Sequence, residues 1–199
     1  HYPSEFFTAL LSIEPNINKE QLHLADVKKF GLKIKGPDIN QSQESFSLIN
    51  GDIQMGFTMI KGMRRDFIQA IMDERQRGPF KNLGDFVQRM GDKWQKENLI
   101  NPLIYSGAFD HLGYNRAEMI EGLSGLFAGN EFAFKRADLQ PMMERRKEYP
   151  LTYRLLKEKE YLGVYISGHP VAQYQKVRER IRTQRVSDIK VNEHVKMLV

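Results

Sequence analysis

The sequence predicts a mainly α-helical fold carrying one small antiparallel β-hairpin. Three observations predict it. Most of the chain beyond residue 62 places apolar residues three and four apart, the spacing of one helix face. Ser45–Phe57 alternates instead: Phe46 and Leu48 precede Asn50-Gly51, and Ile53 and Met55 follow it. That dipeptide is preferred where both turn residues need positive φ. Finally, two glycine turns, around Gly62 and Gly107, lie between helical stretches about forty residues apart. The repeated helix–glycine turn–helix is the layout of a tandem helix-hairpin-helix module.

In order, Pro3 to about Ser12 reads as a short helix burying Phe6, Phe7, Leu10 and Leu11, and Pro15-Asn16 breaks it. Asn18 with Gln21 makes a capping-box pattern, so a second helix is expected to Phe30, stopping at Gly31. Leu32–Lys35 alternates as a short strand, and Gly36-Pro37-Asp38 turns the chain. The hairpin then delivers the chain to Gly62. Asp66 to about Arg77 carries Phe67, Ile68, Ile71 and Met72 on one side and ends at Gly78-Pro79. Leu83–Met90 and Gln95–Tyr105 are further helices, the latter with Pro102 as a site for a kink. After Ser106–Gly113, another helix begins near Arg116. Residues 128–150 are irregular and charged. Leu151–Tyr161 is a strong helix with Leu155 and Leu156 at its centre. Pro170 opens a last helix to about Arg182 whose face is basic, with Lys176, Arg178, Arg180, Arg182 and then Arg185. The usual meaning of such a run is a solvated face. Ser187–Val199 has β-branched spacing and reads as the start of a further domain.

The first glycine turn carries the clearest chemistry. A tight turn feeding a helix start leaves backbone N–H groups without intrahelical acceptors, and the helix dipole favours an anion there. Lys61, Gly62, Met63, Arg64 and Arg65 put cationic side chains around that point. Ser106, Gly107 and Ala108 form the corresponding turn of the second unit. An ordinary helical corner with solvated charges is the competing reading of either turn alone. Two such units form a pseudo-twofold module able to hold both strands of duplex DNA, which favours the nucleic-acid reading.

Composition permits this without requiring it. The 199 residues hold 30 Lys and Arg against 25 Asp and Glu, a net charge of +5. There is no cysteine, so disulfides and thiolate zinc sites are excluded, and a reducing, cytoplasmic setting is expected. No apolar run approaches the ~18 residues of a membrane span, so no membrane partner is expected. The abrupt opening, His1-Tyr2-Pro3, suggests a piece of something longer.

Four stretches make the chain resemble the alpha-subunit family of bacterial DNA polymerase III, the C-family replicative polymerases. Tyr2-Pro3-Ser4-Glu5-Phe6 is similar to the family's helix start, and Gly36-Pro37-Asp38-Ile39-Asn40 to its proline–aspartate–x–asparagine turn. Gly56 through Gly62, Gly78-Pro79-Phe80 and Ser106–Asp110 resemble its helix-hairpin-helix region. Leu162-Gly163 through Pro170 resembles the segment leading to its oligonucleotide-binding fold. The resemblance implies three parts: residues 1–58 from the end of the fingers with the β-hairpin, 59–128 as the tandem helix-hairpin-helix module, and 129–199 as a charged helical linker towards the next domain. It implies primer-template DNA as partner, and a sliding clamp and other replisome subunits as further partners. The nearest stretch to the clamp-binding motif is Gln140-Pro141-Met142-Met143, where Gln140, Met142 and Met143 fit but the aromatic residue is lacking. One departure bears on mechanism. Where the family has a second glycine in the first hairpin, this chain has Arg64. That side chain either blocks backbone approach to phosphate or supplies a charge-assisted contact of its own.

The resemblance implies magnesium in the parent enzyme's palm and a DNA-directed polymerase activity. The fragment itself shows no carboxylate pair in a strand setting. Asp38 and Asp52 sit in turns, and His1, His23, His111, His169 and His194 lack metal spacing. His169 before Pro170 reads as a helix-entry residue. No catalytic residue, metal site or cofactor is expected, and the fragment alone should be inert. A hairpin module of a repair nuclease or ligase-like enzyme, or a protein-interaction scaffold, are the alternative readings.

Overall fold

A computed structural model describes residues 2–13, 23–24, 26–27, 29–127 and 146–171, with the side chains of 125–127 excepted. Among these residues there are six α-helices: α1 (Pro3–Ile13), α2 (Arg65–Arg75), α3 (Leu83–Met90), α4 (Glu97–Tyr105), α5 (Arg116–Phe127) and α6 (Leu151–Leu162). Three short strands join them, β1 (Ile34–Lys35), β2 (Ser47–Ile49) and β3 (Asp52–Gln54), with 3-10 turns at Phe57–Met59 and Asp92–Trp94. The mainly helical class with a small hairpin is therefore the observed one. The capping box at Asn18, residues 128–145 with Gln140, Met142 and Met143, the basic helix Lys176–Arg185 and the tail lie outside the described residues. Pro170 and Val171, the last described residues, are in 3-10 conformation.

Asn50 and Gly51 both take positive φ, 52° and 83°, which closes β2 onto β3 in the register Leu48 opposite Ile53. The sheet is larger than the hairpin expected. β1 adds a parallel strand on the other side of β3, with Ile34 opposite Ile53, so the order is β1-β3-β2. β3 is thus the central strand. Ile53 is fully buried, whereas Leu48, its partner on the edge strand, is 37% exposed. Period-2 alternation marks a face but does not say how far the covering helices reach.

Helix phase corrects one expectation, the burial of Phe6, and divides the Leu155–Leu156 pair. In α1, Phe7 and Leu11 are buried but Phe6 is 62% exposed. In α6, Leu155 is buried and Leu156 is 61% exposed. Adjacent helical residues point about 100° apart, so one of each pair turns outward. Ahead of Gly31, Leu24 and Val27 face the core from the last turns of the expected second helix. Pro102 is buried inside α4, which continues through it to Tyr105.

The centre is aromatic. Phe67 of α2 lies 5.2 Å from Trp94 and 6.5 Å from Phe86 of α3, and Phe86 meets Phe80 at 5.0 Å and Phe109 at 5.1 Å, edge to face. Such tilted pairs are favoured by the ring quadrupoles. Phe109 belongs to the second glycine turn, so both turns grow from one core. The early polar motifs are fasteners. Asp38 Oδ1 accepts from the N–H groups of Asn40 and Gln41. The Asn40 side chain accepts from Phe80 N–H at 2.7 Å and donates to Phe80 C=O at 2.8 Å, as a neighbouring strand would. Asp52 pairs with Lys35 at 3.0 Å.

The chain enters the first hairpin under close constraint. Phe57 N–H donates to Gln43 C=O and Thr58 N–H to Glu44 C=O. Gly56 has an ordinary φ of −83°, yet a Cβ there would stand about 2.5 Å from the carbonyl oxygens of Glu44 and Ser45. Gly51 is the converse, with open space around it and a positive φ. Gly56→Ala is therefore expected to cost about 3 kcal/mol by forcing backbone apart, and Gly51→Ala only about 1 kcal/mol of local strain. Urea unfolding of both variants checks the order, and equal costs would contradict it.

Candidate nucleic-acid interface

The first turn is built as its residues predict. Met63 N–H donates to Ile60 C=O at 3.1 Å across Lys61-Gly62, with Gly62 at φ 90°. Ile60 is buried beneath it, and Lys61, Gly62, Arg64 and Arg65 are exposed. Arg64 is the residue before α2, at φ −95° and ψ 141°, a conformation open to any amino acid. Phe67 and Ile68 N–H groups both reach Arg64 C=O. The N–H groups of Arg65 and Asp66, ahead of them, have no intrahelical acceptor.

The side chains add a feature the sequence reading overlooked. Asp66 accepts from Arg64 Nε at 3.1 Å and Nη2 at 2.6 Å, and from Phe67 N–H at 3.0 Å. The Arg64 hydrogen bonds, then its charge, hold the Asp66 carboxyl below the usual carboxylate range. The chain thus supplies its own anion in the first turn of α2. Arg65 is 90% exposed at the side chain, with Glu44 3.7 Å away. Among the described residues the Lys61 ammonium has no ion-pair partner.

The second turn is built differently. Ser106 and Ala108 are buried. The N–H groups of Ser106, Gly107 and Ala108 donate to the carbonyls of Pro102, Ile104 and Leu103. All three donors are therefore taken up inside the protein. Gly107 has φ 88°, and a Cβ there would come 2.5 Å from the Arg116 guanidinium. The N-terminus of α5 is likewise filled from within. Asn115 and Glu118 form a reciprocal capping box, and Glu148 accepts from the N–H groups of Arg116 and Ala117. The Asn115-x-x-Glu118 spacing was legible and is the signal that could have found it.

Behind this turn, Arg116 is nearly fully buried. It donates to both Asp110 oxygens at 2.9 and 2.7 Å and to Tyr105 C=O at 3.0 Å, and meets Glu158 of α6 at 3.0 Å. Glu158, wholly buried, also accepts from the N–H groups of Ile166 and Ser167 and from the Ser167 hydroxyl. Burial alone would raise the Glu158 pKa. The Ser167 and Ile166 hydrogen bonds and the Arg116 charge outweigh it and leave the carboxyl below its ordinary value. α6 in turn meets the first turn, since Lys61 N–H donates to Tyr161 C=O at 2.8 Å.

The remaining chemistry is structural. His111 Nδ1 lies 3.4 Å from Asp38, and His169 Nδ1 accepts from Val171 N–H at the entry to the Pro170 turn. Among the described residues no three acidic or histidine side chains converge as metal ligands, and no helix is long and apolar enough to cross a membrane.

A helix-hairpin-helix motif family matches residues 31–119, which contain both turns. DNA polymerase III subunit alpha of Deinococcus radiodurans is 36% identical over 95% of this chain, covering 15% of that protein. The Thermus aquaticus subunit is 33% identical over 90% of the chain and 16% of its own length, and that of Pseudomonas fluorescens 32% over 96% and 19%. The chain is similar to a segment of DNA polymerase III alpha subunits. It spans less than a fifth of the relatives named here. The similarity runs through the helix-hairpin-helix region and onward over the Glu158 network.

The Glu158 network makes a sign-definite prediction. A folded pKa below the unfolded one stabilises at pH above the ordinary value of 4.5, and that stability is lost as pH falls through the depressed folded value. Glu158→Gln leaves Arg116 one described carboxylate, Asp110, and is expected to cost about 3 kcal/mol at pH 7. The variant should also lose part of the parent's acid sensitivity below pH 4.5. Urea melts at neutral and acid pH check both; an unchanged pH dependence would contradict the assignment.

Proposed function

We propose that this chain is the duplex-DNA-binding part of a cytoplasmic bacterial DNA polymerase III alpha subunit. It holds template-primer DNA by phosphate contacts that do not read sequence. The carrying observation is the exposed Lys61–Arg65 turn, whose cations surround a helix start with free N–H groups. The family match and the polymerase relatives support the class of ligand. In this reading Lys61, Gly62, Met63, Arg64 and Arg65 form the phosphate-contacting surface. Ser106, Gly107 and Ala108, whose donors are turned inward, shape the frame instead. The parent polymerase, with magnesium in its palm, supplies the chemistry, and this part supplies the grip. The same resemblance would add a sliding clamp, met through Gln140, Met142 and Met143, and other replisome subunits.

Arg64 acts through its charge rather than by blocking backbone approach. A phosphate arriving at the turn competes with Asp66 for Arg64 and for the α2 dipole. Because phosphate binding releases counterions, duplex affinity should fall steeply with salt and vary little with sequence. Arg64→Ala with Arg65→Ala should flatten the log–log salt slope by roughly one to two units, with little effect on folding. Asp66→Asn keeps an acceptor for Phe67 N–H but removes the competing charge. It should tighten binding roughly two- to fivefold at low salt, the size of a helix-terminus charge effect. Fluorescence anisotropy with two duplexes of different sequence at several salt concentrations checks all three. A double variant binding like the parent at every salt reduces the turn to a helical corner.

The isolated chain should show no primer extension or nuclease activity with magnesium and nucleotides. Metal-dependent extension by the purified protein, absent from a mock preparation, would overturn that part of the reading.

A further inference from the structure

The Lys61–Arg65 turn shares the start of α2 with a cation from elsewhere in the chain. The 3-10 turn Asp92–Trp94, between α3 and α4, belongs to neither glycine turn, and Lys93 is its middle residue. Trp94 is buried, with its ring centroid 5.2 Å from that of Phe67 and the two planes 33° apart. Phe67 is the third residue of α2 and directly follows Asp66. The Lys93 ammonium stands 4.3 Å from the Trp94 ring centre. A packed ring thus holds Lys93 near the first turn of α2, although all of α3 lies between them in sequence.

Asp66 marks where that charge arrives. Its carboxylate accepts two hydrogen bonds from Arg64 and one from Phe67 N–H. After the Arg64 and Phe67 contributions, the charge of Lys93 also helps to hold the Asp66 carboxyl below its ordinary range. Two cations from separate elements and a backbone N–H therefore converge on one anion that the chain itself supplies. A ligand anion that takes the place of Asp66 meets the same groups.

Two observations identify that ligand as backbone phosphate. Lys93 is exposed, and among the described residues no carboxylate pairs with it, although Asp92 and Glu97 are near it in sequence. Trp94 is only 9% exposed and already meets Phe67 and Lys93, so it has no open face of the kind on which unpaired bases stack. What reaches solvent is an ammonium, a compact point charge suited to phosphate oxygens.

We propose that Lys93 is a fourth phosphate-contacting cation for duplex DNA, placed by Trp94 and acting on the same stretch of backbone as the Lys61–Arg65 turn. This rests on the function proposed above and adds to the glycine turn a contact from a different element.

The test uses the whole 199-residue chain. Fluorescence anisotropy on a blunt duplex at several salt concentrations reads the contact, and carboxyl NMR of Asp66 without DNA reads the placement. Lys93→Ala should lower the log–log salt slope by about one unit, and Lys93→Arg should keep it. Combined with Arg64→Ala and Arg65→Ala, Lys93→Ala should remove about one further unit. Without DNA, Lys93→Ala should raise the pH at which Asp66 titrates, because a nearby positive charge favours the carboxylate, and Lys93→Arg should leave it low. An unmoved Asp66 titration overturns the placement. A Lys93→Ala variant that shifts Asp66 yet keeps the parent's salt slope, while Arg64→Ala with Arg65→Ala flattens it, overturns the contact and leaves the first turn's role standing. A larger loss for a single strand of the same sequence than for the duplex overturns the choice of duplex. A parent chain that binds no duplex at low salt overturns both proposals.

Discussion

The buried contact between Arg116 and Glu158 is the constraint on which the arrangement rests. Two full charges removed from water are tolerated only when every polar atom around them is satisfied. Here they are: Glu158 receives Arg116, two backbone N–H groups and a hydroxyl, and Arg116 reaches Asp110 and the Tyr105 carbonyl besides. The consequences run outward. Gly107 is required because any side chain there would collide with the Arg116 guanidinium. The turn from Ile166 to Ser167 is pinned to α6, and α6 is pinned to the second hairpin. Since Tyr161 of α6 accepts from Lys61, the presentation of the first turn depends on an ion pair one helical turn away on α6. A stability link and the proposed binding surface are therefore joined through one helix.

The two hairpins, alike in sequence, divide the labour. In the second, backbone donors and the α5 N-terminus are consumed internally, by carbonyls, by the Asn115–Glu118 box and by Glu148. In the first, the α2 N-terminus faces solvent with three cations around it, Asp66 against Arg64 and Glu44 near Arg65. Asp66 has the same two roles a phosphate would have, neutralising Arg64 and complementing the helix dipole. In the proposed function, Asp66 holds this helix start without ligand and gives way to a phosphate when one arrives.

Much of the fold was legible because its signals are local. Asn50-Gly51 announces its turn through the φ it needs, Leu83–Met90 shows both its boundaries, and the apolar residues of α2 sit on the face their spacing implies. The parallel pairing of β1 with β3 was not legible, because two residues of strand carry no record of a partner nineteen residues away. Phe6 was misjudged, and the exposure of Leu48 and Leu156 was not legible, for a related reason: hydrophobicity says what can be buried, and tertiary coverage decides what is. The site was half legible. Lys61, Gly62, Arg64 and Arg65 stand where their turn predicts, but Glu158 reads in sequence as one charge among Lys157, Lys159 and Glu160. Only its place opposite Arg116, some forty residues earlier, separates this buried carboxylate from its three charged neighbours in the run.

The central claim is that the exposed first turn, and not the internally satisfied second, meets the DNA backbone. Backbone amide shifts on titration with a short duplex test this most directly, because they report position by position at a molecular mass of 23.2 kDa. The account predicts the largest shifts at Lys61 through Asp66 and small ones at Ser106, Gly107 and Ala108. Shifts centred on Gly107, with Lys61 through Asp66 unmoved, would contradict it.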